Sequence, residues 1–150
     1  MGSAVFSYTP DAPNATPWEA ALGLTSRSRL ARMGQAQIGL PVAAFARFAK
    51  VSGVPREALA ATIHITLRTV QRRQDDTGRL SANASERLVR LAELYARASH
   101  VMGSDALAKQ WMQTPREAFG GRTPFEMAAS ELGAREVEDL LLRVEHGVFF

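Results

Sequence analysis

The chain has 150 residues, of which 46% are apolar and none is cysteine, and its formal net charge is +3. This length suffices for an ordinary hydrophobic core, and the lack of cysteine excludes a disulfide framework and thiolate metal ligands. No apolar run approaches the roughly 20 residues that cross a bilayer, so the composition favours a soluble, cytoplasmic protein.

The N-terminal part of the chain has little regular pattern. Residues 1–17 hold three prolines among small polar residues, which predicts a disordered arm. The stretch from Trp18 to Gly39 has no clear apolar period, so we expect a short helix and loops there. From Pro41, a proline suited to a helix start, apolar residues recur at helical spacing until Gly53 ends the pattern.

Two short helices with a tight connection are expected next. One follows Pro55, and Thr66 can cap another that runs from Leu67 to about Gln74. This arrangement is typical of a helix-turn-helix, whose second helix enters the major groove of DNA. The candidate DNA-binding residues are Thr66, Arg68, Thr69, Arg72 and Arg73. Arginine can bond guanine or phosphate and threonine can contact phosphate or a thymine methyl, but the same face could simply be solvated.

The charge is divided unevenly along the chain. Residues 41–98 carry ten basic and five acidic side chains, whereas residues 99–150 carry five basic and eight acidic ones. Such asymmetry indicates a middle part that faces nucleic acid and a tail that faces protein, although ordinary domains also show it by chance.

The second half of the chain predicts further helices and no strands. Ser81 can cap a long helix whose apolar stripe (Leu88, Leu91, Leu94, Tyr95, Ala98) we expect to contribute to a dimer contact. Thr114-Pro115 and Thr123-Pro124, each with a glutamate three residues after the threonine, predict two helix starts. Gly133 is interpreted as a helix terminator, and a last helix is expected from about Ala134 to His146.

An ordered set of motifs along residues 39–148 resembles the Xre/MbcA/ParS antitoxin family. The motifs that carry this resemblance are Leu67-Arg68-Thr69-Val70-Gln71-Arg72-Arg73, Gly78-Arg79-Leu80, Ser85-Glu86-Arg87-Leu88-Val89-Arg90, Lys109-Gln110-Trp111-Met112, Gly120-Gly121-Arg122-Thr123-Pro124 and Leu141-Leu142-Arg143-Val144-Glu145-His146-Gly147-Val148. The sequence departs from the family at His146, where a tyrosine or other large residue is more usual, and at Ala129-Ser130, where threonine often occurs.

The resemblance implies an all-α fold with an Xre-like helix-turn-helix DNA-binding domain followed by a small helical toxin-binding domain. After the arm at 1–17, residues 18–98 would form the DNA-binding and dimerisation region, and residues 99–150 the toxin-binding domain. The implied partners are operator DNA, bound as a homodimer in autorepression, and a RES-domain toxin that depletes NAD. The C-terminal segment would occlude the active site of that toxin.

The toxin-binding residues implied are Arg143, Glu145, Gly147, Val148, Phe149 and Phe150. The apolar end could anchor in the toxin or fold back onto the core, and Arg143 and Glu145 could be a solvated helix end. Trp111, His64 and His146 are interpreted as structural.

No nucleophile and base pair, carboxylate dyad, metal cluster or phosphate loop is visible, so we expect no enzyme activity, no cofactor and no metal. A free-standing helix-turn-helix regulator with a C-terminal dimerisation or sensing domain is the alternative, and a neighbouring gene for a RES-type protein would distinguish the two.

Overall fold

The computed structural model describes residues 16–24, 26 and 28–147, and the helices of this part of the chain are joined by turns and short loops. Its helices are α1 Pro17–Ala21, α2 Arg29–Ile38, α3 Val42–Ser52, α4 Arg56–Thr62, α5 Leu67–Asp75, α6 Ala82–Met102, α7 Asp105–Met112, α8 Pro124–Met127 and α9 Glu131–Glu145, with a 3-10 helix at Glu117–Phe119. The described residues form no strand, only an isolated bridge between Pro41 and Arg79. The all-α prediction is therefore confirmed. Residues 1–15 of the expected arm lie outside the described residues, and Pro17 already belongs to α1.

Most helices begin where a hydroxyl side chain caps them. The side chains of Thr66, Ser81 and Thr123 accept hydrogen bonds from the third residue after each cap, as the sequence predicts. Thr123 and Glu126 form a complete capping box, and Thr16 and Glu19 form another at α1. Gly53 ends α3 in the left-handed conformation, with φ of 72°. These local signals determine where the helices begin and end.

The long helix α6 is the centre of the packing. Helices α1, α2, α7 and α9 all contact it, and its residues Leu88, Leu91 and Ala98 are fully buried. Trp18, Phe48 and Tyr95 form an aromatic cluster with ring centroids 4.9–6.5 Å apart. The apolar stripe of α6, predicted to contribute to a dimer contact, is thus covered by helices of the same chain.

Two predictions about the second half of the chain are wrong. Thr114 does not open a helix, because its hydroxyl donates to the carbonyl oxygen of Gln110 and only a 3-10 turn follows. Gly133 does not end a helix but lies in the first turn of α9, where its backbone passes close to Met127. A Cβ atom at Gly133 would overlap the carbonyl oxygen of Met127. Glycine is therefore required there by close approach of two backbones.

We expect Gly133→Ala to destabilise the protein by about 1–3 kcal/mol or more, because the overlapping atom belongs to the backbone and α8 must shift to make room. Thermal unfolding measures this effect, and Glu138→Ala on the exposed side of α9 is the control. An unchanged melting temperature of Gly133→Ala would show that α8 and α9 are not held in this contact.

A buried arginine joins three helices at one side of the core. The guanidinium of Arg32 on α2 contacts Glu19 on α1 at 2.5 Å and Glu93 on α6 at 2.9 Å. Burial alone would raise the pKa of Glu19, but the hydrogen bonds from Arg32 and Thr16 and the charge of Arg32 hold it below the ordinary value of 4.5. A lowered pKa in the folded state means that the carboxylate stabilises the fold only while it is ionised.

The pH dependence of stability follows from that direction. The contribution of Glu19 is complete above the ordinary pKa of 4.5 and is lost as the pH falls through the lower pKa of the folded state. Melting curves of Glu19→Gln should therefore show lower stability than the wild type at neutral pH, and a smaller loss on acidification. Glu57→Gln, at an exposed glutamate of α4, is the control and should follow the wild-type curve.

Candidate nucleic-acid interface and C-terminal site

Helices α4 and α5 and the turn between them form a helix-turn-helix. Leu59 and Ile63 are fully buried and Val70 is 2% exposed, so the inner sides of both helices are fixed in the core. His64 takes a left-handed φ of 64° in the turn, and Ile65 donates to the carbonyl oxygen of Ala60 at 2.9 Å. The predicted spacing of Leu67 and Val70 places both on the inner side of α5. The remaining side of α5 points outward.

The outward side of α5 carries the predicted DNA-binding cations. Arg68 and Arg72 are exposed and Arg73 is half-buried, and none of the three forms an ion pair with any described residue. Asp75 and Asp76 follow at the end of the helix, where they would repel phosphate. The beginning and middle of α5 are therefore the part that can contact a polyanion. The partial positive charge at the N-terminus of the helix also favours a phosphate at that end.

Thr66 and Thr69 are engaged with each other at the start of α5. Their hydroxyls lie 3.0 Å apart, and the Thr66 hydroxyl also caps the backbone N–H of Thr69. Each hydroxyl can still form a further hydrogen bond, so this contact orients the two side chains and leaves them able to bind a ligand. Gln71 is also exposed on α5 and was missed by the sequence prediction, although glutamine can read adenine. The amide of Gln71 donates a hydrogen bond to the carboxylate of Asp75 at 3.3 Å. Only the exposed position of Gln71 in the structure marks it as a candidate.

After α5, residues 78–80 pair with residues 39–42 through backbone hydrogen bonds, and we call this pairing the clasp. Leu80 donates to the carbonyl oxygen of Leu40 at 2.8 Å, and Val42 donates to that of Gly78 at 2.9 Å. The Arg79 guanidinium donates to the carbonyl oxygen of Gly39 at 2.8 Å. The clasp therefore fixes the end of α2 to the chain that leaves α5.

The turn of the helix-turn-helix also contacts the C-terminal part of the chain. The ring Nε2 of His64 lies 2.7 Å from the carbonyl oxygen of Ala129, in the loop that precedes α9. Because a carbonyl can only accept, Nε2 carries the proton of this bond. Beside it lies an open cleft of about 850 Å³ whose lining includes Arg122, Met127 and Leu132.

The end of α9 carries the other predicted site. Arg143 is half-buried and has no ion pair among the described residues, whereas Glu145 contacts Arg97 at 3.5 Å and His100 at 3.2 Å. Gly147 is exposed and ends the helix with φ of 70°. Val148, Phe149 and Phe150 lie outside the described residues. Of the two charged residues predicted here, Arg143 is free to meet a partner and Glu145 is already paired with α6.

Trp111 and His64 have contacts within the fold, whereas His146 is exposed just after α9. Trp111 is 8% exposed and lies under the Arg116 guanidinium, 4.9 Å from the ring centroid. Within the described ranges, no group of three or more His, Asp or Glu side chains could hold a metal ion. No helix in the same ranges has the length and hydropathy of a membrane span.

This architecture defines a helix-turn-helix protein with a helical C-terminal unit. Residues 38–93 match the antitoxin Xre-like helix-turn-helix domain. Residues 97–147 match the antitoxin Xre/MbcA/ParS C-terminal toxin-binding domain. The chain belongs to this family of antitoxins, as its sequence motifs predicted.

Curated relatives support the assignment. An antitoxin Xre of Yersinia enterocolitica is 35% identical over 99 residues, which cover 65% of this chain and 67% of that protein. One of Photorhabdus laumondii is 31% identical over 111 residues, covering 73% and 75%. One of Pseudomonas putida is 37% identical over 83 residues, covering 55% and 52%, so the match spans about half of that relative's length.

Proposed function

We propose that this chain is the antitoxin of a type II toxin–antitoxin pair. In this proposal the end of α9, with Gly147 and the residues after it, binds a RES-domain toxin and occludes its NAD-depleting active site. The outward side of α5 binds the operator of the chain's own operon as a homodimer. The chain itself carries no catalytic step.

The observation that carries the proposal is that two different segments of one helical chain, the outward side of α5 and the end of α9, each present arginine without an ion pair among the described residues. Arg68 and Arg72 project from α5, inside the segment similar to an Xre-like helix-turn-helix. Arg143 and Gly147 lie at the end of α9, inside the segment similar to a toxin-binding domain. A chain with two such surfaces can bind a protein for neutralisation and DNA for autorepression.

The direct test is co-expression of this chain with a RES-domain toxin. We expect a stable complex, restored growth and restored cellular NAD, and a gel shift of the upstream DNA by the purified antitoxin. If the chain shifts that DNA but neither binds the RES-domain protein nor preserves NAD, the chain is a free-standing regulator instead.

A further inference from the structure

Three ionisable side chains join the last turn of α9 to the end of α6, and we call them the Glu145 cluster. The carboxylate of Glu145 contacts Arg97 at 3.5 Å and His100 at 3.2 Å. Arg97 and His100 lie three positions apart on α6, so one side of that helix presents both side chains to the same carboxylate. The cluster therefore joins two helices at the point where the chain leaves α9.

Glu145 stands at a position where a helix disfavours an acid. It is the last residue of α9, and the partial negative charge at the C-terminus of a helix repels a carboxylate. The residues three and four positions before it, Leu142 and Leu141, are apolar, so its helical neighbours on α9 supply no cation. The compensating positive charge comes from α6 instead.

Arg97 is available for Glu145 because its usual partner is engaged elsewhere. Glu93 lies four residues before Arg97 on α6, which is the ordinary spacing of an ion pair within a helix. The carboxylate of Glu93 contacts Arg32 at 2.9 Å instead. Asp105 lines the same open cleft of about 860 Å³ as Arg97, but the two residues form no ion pair in the described part of the chain. The acid that Arg97 contacts is therefore the one at the end of α9.

We propose that Arg97 and His100 are positioning residues for toxin binding. They hold Glu145 and with it the last turn of α9, which sets the direction in which the chain continues at Gly147. This inference rests on the proposed function, in which Gly147 and the residues after it bind the toxin. The segment similar to the toxin-binding domain runs from residue 97 to residue 147, so the cluster joins the beginning of that segment to its end. Glu145 then acts on the toxin through this arrangement and not by direct contact.

The last turn of α9 depends on such a contact for its order. Residues 142–145 include no fully buried side chain, and the last buried one of α9 is Leu141. The backbone N–H groups of His146 and Gly147 donate only to carbonyl oxygens of the same helix. A helix end without tertiary contacts opens readily. Fixing it before the toxin binds removes an ordering cost, and a contact outside the interface can raise affinity in this way.

Charge reversal at Arg97 tests the positioning role. Arg97→Glu should raise the dissociation constant of the complex with a RES-domain toxin at least about threefold, because the new acid repels Glu145. Arg97→Glu combined with Glu145→Arg exchanges the two charges and restores their attraction. This charge-exchanged variant should bind within about twofold of the wild type, whereas a lost direct contact with the toxin would not be restored. Lys109→Glu changes another exposed cation of the same segment and is the matched control.

Hydrogen exchange of the free antitoxin gives a readout that needs no toxin. The amides of His146 and Gly147 should exchange at least about threefold faster in Arg97→Glu and in His100→Ala, and the charge-exchanged variant should return them towards the wild-type rate. Melting temperatures of all these variants should stay within about 3 °C of the wild type, because exposed ion pairs contribute little to global stability.

Three results would overturn the proposal: unchanged exchange at both amides, faster exchange with unchanged affinity for the toxin, or a loss of affinity that the charge-exchanged variant does not restore. The last of these would mean that Arg97 contacts the toxin itself. If the exchange rates change as expected but the wild type binds no RES-domain toxin, the proposed function fails while the hold of the cluster on α9 stands.

Discussion

An antitoxin shortened to end at His146 should fold and bind DNA but lose protection against its toxin. In the described part of the chain, Gly147 is exposed and its backbone N–H donates only to Val144, whereas the buried residues Val137 and Leu141 lie earlier in α9. Removing residues 147–150 should therefore leave the core of α9 in place. The loss falls on Phe149 and Phe150, since buried aromatic anchors at the centre of an interface commonly cost ~2 kcal/mol or more when truncated.

Co-expression with the toxin measures protection, and a thermal melt and a gel shift measure the fold and the DNA surface. The combined change Phe149→Leu and Phe150→Leu is the matched control, because it keeps apolar side chains at both positions and should retain most protection. A large fall in melting temperature of the shortened chain would place these residues in the core. Full protection by the shortened chain would mean that another surface inhibits the toxin. Leu132, which is exposed beside the cleft near His64, would then be the next residue to change.

The double variant Arg68→Ala and Arg72→Ala should lose operator binding and keep toxin binding. Both side chains are exposed and unpaired within the described residues, so their removal leaves no buried charge and should not affect folding. A lost base contact costs ~1–3 kcal/mol, and a lost phosphate contact lowers the slope of affinity against salt concentration by about one.

Gel shifts at several salt concentrations separate these two roles of the arginines. Lys109→Ala combined with Arg135→Ala removes two exposed cations, from α7 and α9, and is the control for the loss of net positive charge. Equal affinity of the double variant and the control would mean that α5 is not the DNA-reading helix. Toxin binding lost together with DNA binding would mean that the two surfaces are not separate.

The helix-turn-helix was predictable because its signals are local. The Thr66 cap and the spacing of Leu67 and Val70 act within one or two turns of helix, and the structure retains all of them. The Thr114 motif shows the limit of such signals. Its hydroxyl has a competing acceptor at Gln110, and the glycines at 120 and 121 stop any helix that it could start.

Other features depended on contacts between distant residues and could not be read from the pattern. Glycine at 133 suits both a helix end and a close approach of backbones, and only the position of Met127 decides between them. The stripe of α6 was correctly recognised as a buried face, but periodicity does not say whether the covering helices come from the same chain. The Arg32 ion pairs join residues 13 and 61 positions apart, beyond any local motif.

The hydrogen bond between His64 and Ala129 couples the helix-turn-helix to the C-terminal part of the chain. It joins the turn before α5 to the loop before α9. A ligand that displaces the 128–130 loop must therefore break a contact that also holds the left-handed turn at His64. Thermodynamic linkage makes the effect mutual: the factor by which such a ligand changes operator affinity equals the factor by which the operator changes affinity for the ligand.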